Sequence, residues 1–173
     1  MEISKLDAAK RQLDTAIILF FKQADPVSIH TLAAAAHQVL RDIGKTENIK
    51  SFLKDSGLIR KEYEKEYLTI ISEAENFFKH ADKDPHKLLQ FNAQQTESLL
   101  LDAVEMYMQI TKEMPEDMSI YRVWFLANHP EIGSPETKKE IDGKGLSFRH
   151  FQSKTKLEFF RSMKDALLTS KQF

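Results

Sequence analysis

Hydrophobic residues recur every three to four positions along most of this chain, which is the spacing of one face of an α-helix. Ser4 and Asp7 stand before the first such segment with the spacing of a variant capping box, so a first helix is predicted over residues 5–23. Its apolar stripe consists of Leu6, Ala9, Leu13, Ala16, Ile17 and Phe20.

Asp25 and Pro26 mark the start of a second helix. An aspartate N-cap accepts hydrogen bonds from backbone amides, and proline fits the first helical position. Gly44 predicts the end of this helix as a C-terminal cap. The apolar stripe is rich in alanine and consists of Ile29, Leu32, Ala33, Ala36, Leu40 and Ile43. We expect the first two helices to form an antiparallel hairpin.

The remaining pattern predicts further helices separated by turn residues. They are expected as a short helix over 46–56, a long helix over 58–81, and helices over 96–112, 119–128 and 147–170. The long helix is expected to bury Tyr63, Tyr67, Ile70, Ile71, Ala74, Phe77 and Phe78. Residues 130–147 hold two prolines and three of the five glycines, which predicts the longest irregular connection, with one helical turn at 135–141.

The composition favours helices over strands, with 18 leucines and 13 isoleucines against 4 valines. A chain of 173 residues is long enough for one sizeable core. The prediction is therefore an all-α fold, an up-and-down bundle of about five to seven helices that forms a single domain over residues 1–173.

Several classes of protein are excluded by what the chain lacks. It has no cysteine, which excludes disulfides, thiolate zinc sites and cysteine nucleophiles. No run approaches 18 apolar residues, and residues 1–14 are charged where a signal peptide would be apolar. We therefore expect a cytoplasmic protein without membrane contact. There is also no phosphate-binding glycine loop, GxSxG, HExxH or calcium loop.

The candidate chemistry begins with two histidines. His30 and His37 lie seven residues apart at the edge of the apolar stripe of the second helix, where side chains are half buried between neighbours. If the second helix runs antiparallel to the long one, His30 and His80 lie at the same end of the bundle. His30 is therefore a candidate catalytic residue and His37 a candidate ligand-binding residue.

The end of the long helix adds further polar side chains to this cluster. Asn76 and His80 are candidates for catalysis, and Lys79 and Asp82 for ligand binding. Imidazole titrates near neutrality, and amide, ammonium and carboxylate groups orient or stabilise charge. The competing and favoured interpretation is structural, because a histidine at a helix C-terminus caps carbonyls and interacts well with the helix dipole.

Metal binding is a further alternative, with His30, His37, His80 and Asp82 or Glu73 as possible ligands. Two histidines seven residues apart lie about 10 Å apart along a helix and cannot grip one ion unaided. No metal and no cofactor is therefore assigned.

Charge is unevenly distributed, since residues 138–173 hold nine Lys or Arg and four Asp or Glu. The basic residues of this region are Arg149, His150, Lys154, Lys156, Arg161 and Lys164, interleaved with Phe148, Phe151, Phe159, Phe160 and Met163. Such a mixture of basic and aromatic residues could contact RNA. Core packing requires the same aromatic spacing, and the net charge of −1 favours core packing over RNA binding.

The stretch AIILFFKQADPVSIHTLAAAAHQVLRDIGK, with the later NFFKHADKD, resembles a group of uncharacterised bacterial helical proteins and, more distantly, the HEPN superfamily of small helical bundles. That superfamily includes dimeric RNases and nucleotide-processing proteins of stress and defence systems. The resemblance implies orienting and acid-base roles for Asn76 and His80. The segment RVWFLANH supplies Arg122 and His129 as alternative catalytic residues.

Three functions follow as expectations. The first is a non-enzymatic bundle that acts by binding or self-association, as a homodimer or with a protein partner, with a polar ligand pocket between the second helix and the long helix. The second is a HEPN-like ribonuclease or nucleotide-processing protein, the only case in which RNA is a partner. The third is a metal-binding bundle.

Overall fold

The computed structural model describes residues 1–55, 57–132 and 154–170, and this part of the chain is all-α, without a strand. Its helices are α1 Lys5–Phe21, α2 Pro26–Thr46, α3 Lys61–Ile71, α4 Glu73–Lys79, α5 Gln95–Thr111, α6 Glu116–Asn128 and α7 Lys156–Ser170. The predicted all-α helical bundle is thus confirmed. Within the described ranges, no helix is both long and apolar enough to cross a membrane.

The first two helices begin where the capping residues predict. The Asp7 amide donates to Ser4 Oγ over 3.0 Å and the Ser4 amide donates to Asp7 Oδ2 over 3.3 Å, which completes the capping box. At α2, the Ser28 amide donates to Asp25 Oδ2 over 2.7 Å. The four-residue connection between α1 and α2 lets the two helices pack as an antiparallel hairpin, whose fully buried side chains include Ala9, Leu13, Ala16, Ala33, Ala36 and Leu40.

The helix directions follow from side-chain pairs that join them. His30 contacts Thr96 and His37 contacts Asp102, so α2 and α5 run parallel. Helix α6 runs antiparallel to α5, since Arg122 in the middle of α6 pairs with Glu105, whereas His129 at the end of α6 lies near the earlier Glu97. Consecutive helices of the core are therefore antiparallel, except that α5 runs parallel to α2. The reason is that α3 and α4 carry the chain back to the end of the bundle where α2 begins.

The C-terminal helix packs against an aromatic cluster. Phe20 lies 4.8 Å from Trp124 and 5.3 Å from Tyr121 between ring centroids, and Phe21 lies 6.2 Å from Phe159. Lys156 Nζ lies 3.7 Å from the centroid of the Phe20 ring. Helix α7 thereby closes the core over α1 and α6.

Two lysines of α7 also hold this helix against the core, by pairing with acidic side chains of α5 and α6. Lys156 Nζ lies 3.1 Å from Glu97 Oε1, and Lys164 Nζ lies 2.9 Å from Glu116 Oε1. Phe159 and Met163 are buried. These contacts match the core-packing interpretation of the basic segment. Arg149, His150, Phe148 and Phe151 lie outside the described residues.

The predicted long helix over 58–81 is wrong in its length and in its burial. The chain forms two helices with a break at Ser72, and α3 has no buried residue. Of the seven side chains predicted to be inward, only Ala74 is buried, while Tyr63 and Ile70 are 55% and 57% exposed. An apolar stripe shows that a helix is amphipathic, but another element must lie against the stripe to bury it.

Other boundaries also differ from prediction, among them the end of α1 at Phe21 and the start of α6 at Glu116, where the sequence predicts residues 23 and 119. Within the expected helix over 46–56, residues 51–55 instead form a turn, closed by a hydrogen bond of 2.9 Å from the Asp55 amide to the Ser51 carbonyl, which we call the turn 51–55. Gly44 lies inside α2 rather than capping it. A Cβ atom at Gly44 would lie 2.9 Å from the carbonyl oxygen of Ile49, so glycine permits a close approach of the chain there. The helical turn expected at 135–141 lies outside the described residues, as do residues 147–153 of the helix expected over 147–170. In the described part, this helix begins at Lys156, so Lys154 and Thr155 are not helical as predicted.

Candidate functional site

Both histidines of α2 are buried rather than half buried at the edge of its stripe. His30 is 2% exposed and His37 is fully buried. Each ring contacts a polar side chain of α5, Thr96 for His30 and Asp102 for His37. The α2–α5 interface is thus the polar centre of the bundle.

Asp102 organises the interface around His37. His37 Nε2 lies 2.8 Å from Asp102 Oδ2, and the Ser51 hydroxyl donates to the same oxygen. The Phe52 amide donates to Asp102 Oδ1 over 3.1 Å, and the Leu53 amide donates to Oδ2 over 3.3 Å. This carboxylate therefore holds the turn 51–55 against α2 and α5.

Ser51, His37 and Asp102 have the composition of a nucleophilic triad but not its geometry. In such a triad the imidazole lies between the hydroxyl and the carboxylate. Here a single imidazole atom, His37 Nε2, faces both partners: it lies 2.8 Å from Asp102 Oδ2 and 3.4 Å from Ser51 Oγ. The Ser51 hydroxyl donates to the carboxylate and not to the imidazole, and it also accepts from the Lys54 amide over 2.8 Å. All three side chains are buried. The arrangement stabilises the turn and offers no exposed nucleophile.

An ion triad with two buried members, Lys54 and Glu75, and one exposed member, Lys79, lies beside this turn. Lys54 Nζ lies 2.9 Å from Glu75 Oε2, and Lys79 Nζ lies 2.9 Å from Glu75 Oε1. Burial alone would raise the pKa of Glu75, but the hydrogen bonds from the two lysines outweigh it and hold the pKa below its ordinary value. Two ammonium groups share one carboxylate, so the triad carries one net positive charge.

His30 lies near this triad and stays neutral. Burial lowers its pKa to about 4; the charge of Glu75 opposes this shift, while the charges of Lys54 and Lys79 add to it. His30 Nδ1 lies 2.9 Å from Thr96 Oγ1, whereas Nε2 has no hydrogen-bond partner among the described residues. The imidazole therefore has one buried ring nitrogen to which no described residue is hydrogen-bonded.

A cavity of about 150 Å³ lies between α2, the turn 51–55, the end of α3 and the start of α5. We call it the inner cavity, and its lining residues are His30, Leu53, Lys54, Ile71, Gln95, Ser98 and Leu99. Gln95 is exposed, which places the cavity next to the surface at the start of α5. Leucine and isoleucine walls with a few polar groups are typical of small-molecule sites.

A second, larger concavity of about 740 Å³ lies on the outer side of α3 and α4. We call it the outer groove, and it is lined by Thr69, Ile70, Glu73, Asn76, Phe77, His80, Asp82, Lys83, Asp84 and Lys87. Across it, Lys87 Nζ lies 3.0 Å from Glu73 Oε1. Acidic and basic side chains are mixed in this groove, and those of Asn76, His80 and Asp82 are exposed.

The structure therefore divides the cluster that the sequence predicts. Asn76, His80 and Asp82 lie together in the outer groove, whereas His30 lines the inner cavity. Lys79 belongs to the ion triad with Glu75. His30 does lie at the expected end of the bundle, because its ring is 5.8 Å from that of Phe78 near the end of α4.

Arg122 and His129, the alternative catalytic pair, are both engaged by acidic side chains of α5. Arg122 Nε lies 2.6 Å from Glu105 Oε1, and His129 Nε2 lies 3.5 Å from Glu97 Oε2. The His129 ring also lies 4.4 Å from that of Phe125. No contact between described residues joins Arg122 to His129. Both side chains are placed to tie α6 to α5.

No three His, Asp or Glu side chains of the described ranges are grouped so that they could hold a metal ion. His30 and His37 bind different partners on α5, as their separation along α2 requires. The metal-binding alternative therefore gains no support from the histidines.

Sequence reasoning missed Ser51, Lys54, Glu75, Thr96 and Asp102. For Asp102 a signal was present, since it is a lone acid within the apolar run from Leu99 to Val104 on a predicted core helix. The other four stand in ordinary polar surroundings, so only the folded chain shows that they are buried.

Comparison of the chain with protein-family models, with curated proteins and with solved structures finds no match.

Proposed function

We propose that this protein is a non-enzymatic helical bundle that binds a small polar molecule in the inner cavity. The observation that carries the proposal is the His30 side chain, which lines the cavity with its Nε2 atom lacking a partner among the described residues. A buried polar atom without a hydrogen bond costs about 1–3 kcal/mol, so a ligand that supplies the bond gains free energy.

The chemistry of the cavity favours binding over catalysis. A general acid or base works best with a pKa near the working pH, and burial keeps the pKa of His30 at about 4. Lys54 is held by Glu75, so its amine is not an activated nucleophile. These groups can orient a ligand without transferring a proton to it.

The test is protein-observed NMR with mixtures of small molecules of up to about ten non-hydrogen atoms, the size that such a cavity accepts. We expect a bound molecule to shift the methyl resonances of Leu53, Ile71 and Leu99. Ser98→Leu places an apolar side chain in the cavity and should abolish these shifts. Thr69→Leu, a matched change in the outer groove, should leave them intact.

Two results would contradict the proposal. Shifts confined to Asn76, His80 and Asp82 would place the binding site in the outer groove. Cleavage of a mixed RNA pool that is lost in His80→Ala or His129→Ala would establish the ribonuclease alternative instead. That alternative, like a homodimer, a protein partner, a bacterial origin and a cytoplasmic location, stays a prediction from the sequence.

A further inference from the structure

The electrostatics of the inner cavity favour a negative ligand. The ion triad of Lys54, Glu75 and Lys79 carries a net charge of one positive unit, and Lys54 itself lines the cavity. His30 adds a polar atom without adding charge, since it is neutral at physiological pH. Among the described residues, no carboxylate lines the cavity. A cation would therefore meet repulsion and an anion attraction.

The start of α5 strengthens this preference. Gln95, Ser98 and Leu99 lie in the first turns of a 17-residue helix, whose N-terminal end carries partial positive charge. The only acidic side chain of that first turn, Glu97, has its Oε1 3.1 Å from Lys156 Nζ and is not a lining residue of the cavity.

Size and apolar lining restrict the rest of the ligand. A cavity of about 150 Å³ accepts an apolar body of about the size of benzene. Leu53, Ile71 and Leu99 supply apolar walls, while His30, Lys54 and Ser98 supply polar groups. The ligand must therefore combine a compact apolar body with one polar end.

We infer that the inner cavity binds a small carboxylic acid as its monoanion, with the carboxylate toward Lys54 and His30 and an apolar body of about six carbon atoms against Leu53, Ile71 and Leu99. This inference rests on the proposed function and names its class of ligand. When the Thr96 hydroxyl donates to His30 Nδ1, the imidazole proton resides on Nε2, where it can donate to a carboxylate oxygen.

The experiment compares three probes of nearly equal shape and different charge by isothermal titration at pH 7.5: benzoate, benzamide and benzamidine. Benzoate is expected to bind at least about tenfold more tightly than neutral benzamide, and cationic benzamidine most weakly. The same order is expected for isovalerate against isovaleramide, which tests an aliphatic body in place of the ring.

Two variants test the source of the preference. Lys54→Met removes the ammonium group from the lining, and Lys79→Met removes the net charge of the triad while leaving the lining intact. Either should bring the affinities of benzoate and benzamide within about threefold of each other. Lys87→Met, which breaks the exposed pair with Glu73 in the outer groove, should leave the preference unchanged. Thermal unfolding confirms that each variant is folded.

The outcomes separate the inference from the proposed function. Equal affinity for the three probes, or tighter binding of benzamide, would overturn the carboxylate assignment while the cavity remained a binding site. The assignment would equally be overturned if none of the probes bound although the NMR mixtures gave cavity ligands of another charge. If neither experiment detected a ligand in the cavity, both proposals would be wrong.

Discussion

Asp102 receives more hydrogen bonds than any other single carboxylate at the α2–α5 interface, and it is 1% exposed. Its donors come from α2 and from the turn 51–55, which are far from it in the sequence. A carboxylate buried in this way is stable only while its donors are present. Loss of the carboxylate should likewise destabilise the turn 51–55, because the donors of that turn would lose their acceptor.

Asp102→Asn should therefore destabilise the protein by about 2–4 kcal/mol, because the amide nitrogen would face donors and the negative charge that they stabilise would be gone. Urea denaturation followed by circular dichroism measures this difference. The matched control is Asp42→Asn on α2, because the exposed pair of Asp42 with Lys45 contributes only about 0–1 kcal/mol. Equal effects of the two changes would show that Asp102 does not anchor the turn.

At the scale of single elements, α2 and α3 illustrate opposite outcomes of a similar pattern. Helix α2 buries its stripe against α1 and α5, and it continues past Gly44 to Thr46. Helix α3 has an equally periodic stripe but no buried residue. Amphipathic spacing therefore predicted the presence of both helices, while packing partners decided their burial.

Gly44→Ala should be destabilising, by about 1–3 kcal/mol, although alanine normally favours a helix interior over glycine by about 1 kcal/mol. The reason is the chain that crosses Gly44: the Ile49 amide donates to the Gly44 carbonyl over 2.9 Å, and a Cβ atom would lie 2.9 Å from the Ile49 oxygen. Thermal denaturation measures the sign. Lys45→Ala, exposed in the same turn, serves as the control, and a stabilised Gly44→Ala variant would contradict the close approach.

At the scale of the whole molecule, pH acts on stability through the buried imidazole. The pKa of His30 is about 4 in the folded chain, against an ordinary value of 6.5. Between these values the unfolded chain binds a proton that the folded chain excludes, so stability increases with pH. The contribution is complete above pH 6.5 and is lost as the pH falls toward 4. The pKa values of Asp55 and Glu75 are lowered in the folded chain, so these carboxylates also contribute stability. This contribution is lost at lower pH still, where the two groups become protonated.

We expect the free energy of unfolding to fall by up to about 3 kcal/mol between pH 7 and pH 4 from His30 alone. Urea denaturation at several pH values measures this slope. His30→Asn keeps a polar atom for Thr96 but cannot be protonated in this range, so the slope of this variant should be shallower by that amount. Parallel pH profiles for the two proteins would show that folding does not lower the pKa of His30.

The sequence by itself determined the features that depend on neighbouring residues. The helix starts at Lys5 and Pro26 were predictable because the N-caps Ser4 and Asp25 each bind an amide three residues further along the chain. The all-α class followed from composition and period, since both depend on local preference. The hairpin of the first two helices was likewise predicted, since these helices are adjacent in the sequence.

Tertiary structure alone decided which polar residues meet and which helix faces are covered. His37, Ser51 and Asp102 come together from three separate segments, and the predicted cluster of Asn76, His80 and His30 is divided between the outer groove and the inner cavity. Tertiary structure likewise decided the break at Ser72 and the exposure of α3. The physical reason is that burial, desolvation and long-range hydrogen bonding depend on which elements pack together, and residue spacing along one helix carries no information about its neighbours.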